Sequence, residues 1–462
     1  MLVMTLIIVA VLAVGYALMA TEQSNHISRA AVAMICGVIA WVLYMLRGGT
    51  FLELMHPDEW STFLTGNISS PSAVKEFVAT HILVGYIAEA CSVILFLIAT
   101  NTIVEVLNNN GVFDPIAEWI RTRNSKKFLW ILTCLTFLVS ANIDNLTTVV
   151  LMLTIMNQIV RSHAQKVVYA CAIMMAANLG GSVSVIGDMM SLMLWVRGVV
   201  TPSSFFLGLI LPALSALVVF NLCTSTLLHG NVEIHSFLGR FRGDDSPLAP
   251  WAKTLLLVVG IAGIWAIPTF HAETKLPPFL GALCVLALVW VVDGILNLER
   301  NGMDIVIRRD YVRDSEFISM KTILYFLGVS LGVGALKETG AINYISDLMT
   351  TYIGNEYIYA SILGLLSSVV DNVPLMQIGL NAFDLDTANN ASAFALNGSY
   401  WQLLSLCSAI GGSLLMIGSL AGQQAMESEK VRMIWYIRHF LWRVFLTWAV
   451  AMAVFWLTHE LI

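Results

Sequence analysis

Charged residues are scarce in this 462-residue chain. They make up 12% of the sequence, and hydrophobic residues make up 58%, whereas a soluble globular chain carries about 25% charged residues. This shortage excludes water as the main solvent of the chain. The composition instead predicts many membrane-spanning helices.

Paired cysteines and basic tracts are also missing. The seven cysteines occur singly within apolar runs, without a CxxC pair or a Cys/His cluster of metal-ligand spacing, so neither a zinc site nor a disulfide framework is predicted. The formal net charge of -6 is spread over loops, and no basic tract suggests a nucleic-acid partner. We expect no cofactor, and the lipid bilayer is the partner that the composition predicts.

Long apolar runs follow one another along nearly the whole chain. A run of about 20 such residues crosses a hydrocarbon core of roughly 30 Å. The first run lacks a positively charged segment before it, so we expect residues 1–20 to be a retained helix and not a cleaved leader. The predicted crossings are 2–20, 29–47, 78–107, 166–196, 204–229, 251–271, 277–298, 320–337, 398–425 and 433–459.

Two further apolar stretches, 126–160 and 356–384, are interrupted near the middle by polar residues. Each half is only about 10–16 residues long, which suits a helical hairpin that enters and leaves by one face of the membrane. Glycine pairs also interrupt two of the crossings, 166–196 and 398–425. The predicted fold is therefore an all-α polytopic membrane protein with about ten spanning helices, two re-entrant helical hairpins and two broken helices.

The lysines and arginines predict how this chain is oriented. With ten crossings and two hairpins that do not cross, most of them fall on one side, and the other side keeps only Arg47, Lys75, Arg197, Lys275 and Lys337. By the positive-inside rule, the side that holds most of the lysines and arginines is predicted to be cytoplasmic. Both termini are then predicted outside, with the first hairpin entering from the cytoplasm and the second from the opposite face.

Four landmarks recur in the same order at a nearly constant offset. Phe96-Leu97 matches Phe326-Leu327, 109–119 matches 338–348, Ser140 to Thr148 matches Ser367 to Leu375, and a Gly-Gly-Ser break follows each hairpin. An odd number of crossings separates the copies, which predicts inverted repeats of the kind found in alternating-access transporters. The predicted parts are N-terminal helices over 1–77, repeat 1 over 78–229, a linker with two spanning helices over 230–319, and repeat 2 over 320–462.

Asp144 and Asp371 lie at the interruptions of the two hairpins. A carboxylate there costs several kcal/mol unless it pairs, binds a cation or takes up a proton. It can therefore hold either H+ or Na+, which is the simplest physical basis for antiport. Amide, hydroxyl and freed backbone oxygens nearby are suitable ligands for a hard cation. The candidate ion-binding residues are Asp144, Asn145, Thr147, Thr148, Asn178, Gly181, Ser182, Asp371, Asn372, Gly412 and Ser413, with Na+ at Asp144 and Asp371.

Other polar residues have two interpretations each. Asp188 is either a proton-relay residue or a helix-packing hydrogen bond. His81, Glu89 and Glu105 form either a proton relay or pairs with their neighbours. His56, Asp58 and Glu59 are predicted to be a solvated cluster in an exposed loop. No catalytic residue is predicted.

The motifs Ser-Ala-Asn-Ile-Asp-Asn-Leu-Thr-Thr-Val-Val-Leu-Met at 140–152 and Asp-Asn-Val-Pro-Leu-Met at 371–376 resemble those of the NhaD-type Na+/H+ antiporters of the ion transporter superfamily, which also contains the arsenite pumps. The resemblance covers nearly the whole chain. It implies exchange of cytoplasmic Na+ or Li+ for external H+ by a homodimer in the bacterial inner membrane, each protomer having a scaffold part and a transport part. In related transporters the hairpin tips and unwound helices clamp Na+. This implicates Asp144, Asn145, Thr147, Thr148 and 178–182 in one site, and Asp371, Asn372 and 411–413 in the other.

Two rival functions stay open on the residues alone. Tips of this kind also hold anions in the same superfamily, so the chain could be a dicarboxylate or oxyanion carrier, although two acidic tips repel an anion in a low dielectric. Ile186-Gly187-Asp188 faintly suggests an intramembrane aspartyl protease. The duplicated Asp-Asn motif has no role in such an enzyme.

Overall fold

The computed structural model describes residues 2–65, 70–113, 120, 122–232, 248–297, 320–389 and 392–461. Within these ranges the regular structure is helical and contains no strand, only an isolated bridge between Asn124 and Asn231. The prediction of an all-α chain is confirmed. The helices are α1 Leu2–Ala20, α2 Glu22–Asn25, α3 Arg29–Met45, α4 Gly48–Met55, α5 Pro57–Leu64, α6 Pro71–Asn109, α7 Ser125–Ser140, α8 Asn145–Ile159, α9 His163–Gly181, α10 Met189–Val196, α11 Pro202–Ser225, α12 Pro250–Thr274, α13 Pro278–Leu296, α14 Met320–Glu338, α15 Ala341–Tyr352, α16 Glu356–Leu366, α17 Asn372–Ala382, α18 Ser399–Gly411, α19 Leu420–Glu429 and α20 Met433–Leu461.

Seven helices in the described ranges are long and apolar enough to cross a membrane: α1, α6, α11, α12, α13, α14 and α20. An eighth candidate is the pair α3 and α4, which is bent by 86°. The prediction of several apolar spanning helices is thus confirmed. The number of ten crossings stays a prediction, as do the landmarks at 114–119 and the linker segments 233–247 and 298–319, which lie outside the described residues.

The two predicted hairpins each contain a pair of short helices, α7 with α8 and α16 with α17. Each pair begins at an asparagine cap, because a side-chain oxygen can accept the free N–H groups of the first helical turn. Asn124 Oδ1 accepts from the N–H of Lys126 at 3.0 Å, and Asn355 Oδ1 accepts from the N–H of Tyr357 at 2.9 Å. Matching residues therefore start both pairs.

Helix is interrupted where the glycine pairs predict it. The first break separates Gly181 at the end of α9 from Met189 at the start of α10. The second separates Gly411 at the end of α18 from Leu420 at the start of α19. Backbone carbonyls in such breaks are released from helical hydrogen bonds and can contact an ion.

The N-terminal helices pack against the second half of the chain. α3 lies along α14, and α1 lies along α3. The two backbones of α3 and α14 approach closely where glycine meets glycine, since a Cβ at Gly37 would lie 2.7 Å from the Gly328 carbonyl oxygen. This contact brings Arg29, the first residue of α3, close to the start of α14.

The segment after α4 differs from its prediction. Pro57 begins helix α5 where an exposed loop is predicted, and Asp58 and Glu59 occupy its first turn, where proline and acidic residues both favour a helix N-terminus. Asp58 and Glu59 are exposed as predicted, whereas His56 is partly buried and bonds to a distant part of the chain. The loop prediction was wrong because it was based on the charge of these residues. It did not consider that a proline followed by acidic residues favours the start of a helix.

Candidate functional site

Asp144 caps the N-terminus of α8 at the tip of the first hairpin. Its Oδ2 accepts hydrogen bonds from the backbone N–H groups of Leu146 at 3.2 Å and Thr147 at 3.3 Å. The partial positive charge at a helix N-terminus stabilises such an anion. The Thr147 hydroxyl donates to Asn101 Oδ1 in α6 at 2.5 Å, so the tip is also tied to the neighbouring long helix.

Asn178 connects the first tip to both broken helices. Its Oδ1 accepts from Asn145 Nδ2 at 3.3 Å, and its Nδ2 donates to Ser413 Oγ at 2.8 Å and to Ser419 Oγ at 3.2 Å. All four side chains are buried. Amide and hydroxyl groups from both halves of the chain therefore meet beside the first tip.

Asp188 lies at the end of the first break, immediately before α10. It is 5% exposed, and its Oδ2 has no hydrogen-bond partner among the described residues. It also interacts electrostatically with Asp144. Two ionised carboxylates repel each other, and a proton or a cation that neutralises one of them relieves this repulsion.

The second tip is built differently around Asp371. This residue precedes α17 as Asp144 precedes α8, but its side chain makes no capping hydrogen bond. Its carboxylate interacts with the Tyr325 hydroxyl and with the N–H groups of Asn372 and Val373. The backbone N–H of Asn372 donates to the Gly418 carbonyl at 3.1 Å, which joins the tip to the second break. The predicted ligand Ser413 instead reaches toward the first half through Asn178.

Each broken helix packs closely on the first helix of its hairpin. A Cβ at Gly180 would collide with the Phe137 carbonyl of α7, and a Cβ at Gly411 would collide with the Gly364 carbonyl of α16. Hydroxyls of the hairpins add matching bonds, from Ser140 Oγ to the Ala177 carbonyl at 2.6 Å and from Ser367 Oγ to the Ser408 carbonyl at 3.3 Å. The same contacts thus recur in both halves.

The remaining predicted ligands have contacts with groups that are close to them in the sequence. Thr148 Oγ1 donates to the Ile143 carbonyl at 3.4 Å, and Ser182 Oγ donates to the Leu179 carbonyl at 2.9 Å. The Gly181 carbonyl accepts from Ser191 Oγ at 3.3 Å, and a Cβ at Gly412 would lie 2.9 Å from the Gly418 carbonyl. These contacts hold the tip and the breaks in shape.

Two cavities are lined in part by α14 and share one of its residues, Phe326. The first reaches Asp144, and the second reaches a buried polar pair in which Gln377 Nε2 donates to Ser330 Oγ at 2.5 Å. The Phe326 side chain lines both cavities and is itself 1% exposed. The first cavity is lined by residues that include Leu97, Asn101, Asp144, Thr322 and Phe326, and the second by residues that include Tyr86, Glu89, Phe326, Ser330 and Gln377.

Comparison with known proteins identifies the family. The model of the CitMHS family, described as citrate transporter, matches residues 3–397. The chain belongs to this family. Named relatives include sodium/proton antiporter 2 of Arabidopsis thaliana, which is 27% identical over 92% of this chain and 93% of its own length. The Na(+)/H(+) antiporter NhaD of Vibrio cholerae is 28% identical over 90% of this chain and 89% of its own length.

Membership of the citrate transporter family confirms three predictions. This protein is an integral multi-pass membrane protein, it belongs with transporters, and it is not an enzyme. The resemblance to NhaD antiporters is confirmed as well. The identity of the site residues stays a prediction.

In this family member the suggested relay residues occupy separate positions along α6. Glu89 pairs with Arg197 at 3.0 Å, the His81 ring stacks on Phe77 with centroids 4.7 Å apart, and Glu105 is buried further along the helix. Asp188 is the relay candidate that interacts electrostatically with Asp144. A relay through any of the four residues stays a prediction.

A buried acidic group at the far end of α14 was missed. Glu338 is 3% exposed, and it accepts hydrogen bonds from the Tyr86 hydroxyl at 2.7 Å and His56 Nε2 at 2.8 Å. Because this bond and the carboxylate charge favour the imidazolium form, the pKa of His56 is raised above its usual value. Asn101, which bonds to Thr147, and Ser419, which bonds to Asn178, were also missed. A lone asparagine in a long apolar run is a signal that could have found Asn101.

Proposed function

We propose that this protein is a secondary active antiporter that exchanges Na+ for H+, with Asp144 as the carboxylate of the cation site. The proposal rests on the environment of Asp144, which lines a cavity. Asp188 interacts with it electrostatically, and the Asn145–Asn178 amide pair begins at the next residue. A carboxylate among amide and hydroxyl oxygens is a suitable environment for a hard monovalent cation. A proton is the alternative occupant, since either one removes the buried charge.

The relatives support this choice of ions. The Arabidopsis and Vibrio relatives are named as sodium/proton antiporters. We propose the same pair of ions for this chain, with Li+ as a second cation. Na+ is extruded and H+ enters by alternating access. Asp371 and Asn372 form the second carboxylate-amide tip of the same pathway.

We propose the following architecture around the site. Repeat 1 over 78–229 and repeat 2 over 320–462 are inverted copies, each with a re-entrant hairpin and a broken helix. Ten spanning helices leave both termini outside, and the protein is a homodimer in the bacterial inner membrane. The asparagine caps and the close glycine contacts that recur in both halves support the repeat.

The test is exchange in proteoliposomes loaded with a pH-sensitive dye, comparing wild type with Asp144→Asn. Asp293→Asn is the matched control, because Asp293 is a second buried carboxyl, bonded to Asn110 at 2.7 Å and Asn297 at 3.0 Å outside the site. We expect Na+ to change the internal pH in wild type and Asp293→Asn and to have no effect in Asp144→Asn. Exchange by inserted Asp144→Asn at the wild-type rate would refute the assignment.

A carboxylate carrier is the second candidate, and the description of the family as citrate transporter favours it. The acidic pair Asp144 and Asp188 opposes it, because an anion would meet like charge in a low dielectric. The same vesicles decide the matter with labelled citrate. Citrate uptake without any response to Na+ or Li+ would replace the antiport proposal.

A further inference from the structure

A buried carboxylate, Glu338, ends helix α14. It is 3% exposed, and its two oxygens are bonded by groups from different parts of the chain. The Tyr86 hydroxyl of α6 donates to Oε1 at 2.7 Å, and His56 Nε2, between α4 and α5, bonds to Oε2 at 2.8 Å. Buried carboxylates in membrane proteins are costly, and chains of glutamate and histidine serve there as proton relays. Three protic groups are therefore linked by two hydrogen bonds.

His56 connects Glu338 to the surface of the protein. Its side chain is 27% exposed, and its Nδ1 lies 3.5 Å from an oxygen of Glu59, which is 70% exposed. Histidine takes up and releases protons near neutral pH. The predicted orientation places Lys337, the residue before Glu338, on the outer side. On that orientation His56 is the group of this chain that meets external protons.

Tyr86 connects Glu338 to a cavity. Tyr86 lines the cavity beside Gln377, which has a volume of about 30 Å³, enough for roughly two water molecules. The polar residues that can bond such waters are Glu89, Ser330, Gln377 and Asn381. Phe326 lines this cavity and also the one that reaches Asp144. The chain of hydrogen bonds thus leads from the surface toward the proposed cation site.

The surroundings of this chain suit a proton and oppose Na+. The charged and titratable groups that interact with its three members are Tyr44, Glu59, Glu89, Arg197 and Lys337. Lys337 donates to Asn381 Oδ1 at 3.2 Å and interacts electrostatically with Glu338, so a cation lies beside the buried carboxylate. Na+ would have to exchange its hydration shell for protein oxygens there, whereas a proton moves along the hydrogen bonds that already exist.

We propose that His56, Glu338 and Tyr86 form the path by which external H+ enters this antiporter, a path that Na+ does not use. The inference rests on the proposed antiport and names the proton carriers of that reaction.

The transfer moves one proton and returns each group to its starting state. A proton from the outer solution binds His56 Nδ1 while the Nε2 proton moves to Glu338. The carboxyl group turns and gives this proton to the Tyr86 oxygen, and the Tyr86 hydroxyl gives its own proton to water in the cavity. Rotation of the imidazole ring then resets His56.

The test compares two reactions in the same proteoliposomes. Na+/H+ exchange is followed with a pH-sensitive dye at alkaline external pH, where few protons are available, and Na+/Na+ exchange is followed with labelled Na+. The second reaction uses the cation site and its conformational change but moves no proton. Glu338→Gln and Tyr86→Phe should slow Na+/H+ exchange by about tenfold or more and leave Na+/Na+ exchange at the wild-type rate.

Tyr359→Phe is the matched control. Tyr359 is 2% exposed, and its hydroxyl makes a single bond to the Met349 carbonyl at 3.0 Å, so both reactions should keep their wild-type rates. His56→Ala should slow Na+/H+ exchange, and imidazole added to the outer solution should restore it, because the free ring replaces the missing proton carrier. This rescue is a test that does not depend on Na+/Na+ exchange.

Equal slowing of both reactions in Glu338→Gln and Tyr86→Phe would overturn the proposal, since the three residues would then only stabilise the fold. Wild-type Na+/H+ exchange in both variants would overturn it as well, because the proton would enter elsewhere. If Glu338→Gln does not fold, Tyr86→Phe decides, since it removes a single oxygen atom. Failure of the antiport proposal has a different signature, because wild type itself then shows no pH change with Na+.

Discussion

Asn178→Ala provides the sharpest test of the contact between the two halves. The substitution removes one bond to Asn145 and two to Ser413 and Ser419. A buried hydrogen bond contributes about 1 kcal/mol net, so the free energy of unfolding should fall by about 3 kcal/mol. Exchange should also need more Na+ for half saturation, because the amide and hydroxyl groups beside Asp144 lose their common anchor.

Asn221→Ala is the matched control for this experiment. Asn221 is equally buried, and its Nδ2 makes a single bond to Thr133 Oγ1 at 2.8 Å, away from the site. The same substitution there removes this one bond together with a buried Oδ1 that has no partner among the described residues, so it should cost at most about 1 kcal/mol and leave the Na+ dependence unchanged. Unfolding of the purified protein by a denaturing detergent, followed by tryptophan fluorescence, measures the first quantity, and proteoliposome exchange measures the second.

The reasoning fails if Asn178→Ala and Asn221→Ala lose the same stability and keep the same half-saturating Na+ concentration. The three bonds would then contribute no more than one, and the two halves would not be coupled through Asn178. A large loss of stability with an unchanged half-saturating Na+ concentration would mean that Asn178 stabilises the fold and has no role in Na+ binding.

Two further predictions use the same unfolding assay. Gly411→Ala places a methyl group against the Gly364 carbonyl and should destabilise the protein by about 1–3 kcal/mol. Gly85→Ala, whose Cβ meets no atom within 4 Å in α6, should stabilise it by about 0.5–1 kcal/mol; equal effects would contradict the packing argument. The hydrogen bond from His56 to Glu338 raises the pKa of His56. The contribution of the charged histidine to stability is therefore complete below the ordinary histidine pKa of about 6.5, and it is lost as the pH rises through the raised pKa. Stability should therefore decline over that window in wild type and change less in His56→Gln; parallel pH profiles would contradict it.

Much of the architecture could be predicted because membrane helices follow simple rules of length and polarity. The polar interruptions at Asp144 and Asp371 lie where helices α8 and α17 begin, and the glycine pairs at 180–181 and 411–412 lie where α9 and α18 end. Each of these signals affects only the few residues around it. A local signal can be recognised from one chain without any knowledge of its neighbours.

The contacts that set the chemistry could not be predicted in this way. Asn178 meets Ser413 across 235 positions, and Arg29 meets Gln423 across 394. Sequence spacing does not specify which faces of distant helices come together, so the asymmetry between the tips was visible only as a difference in neighbouring residue types. His56 shows the same limit, since its partner Glu338 is 282 positions away.

The lining residue that the two cavities share has a mechanical consequence. Phe326 is 1% exposed and lines both of them, so a rotation of this one ring would change the volume of both at once. The space beside Asp144 and the space beside Gln377 are therefore coupled through a single side chain.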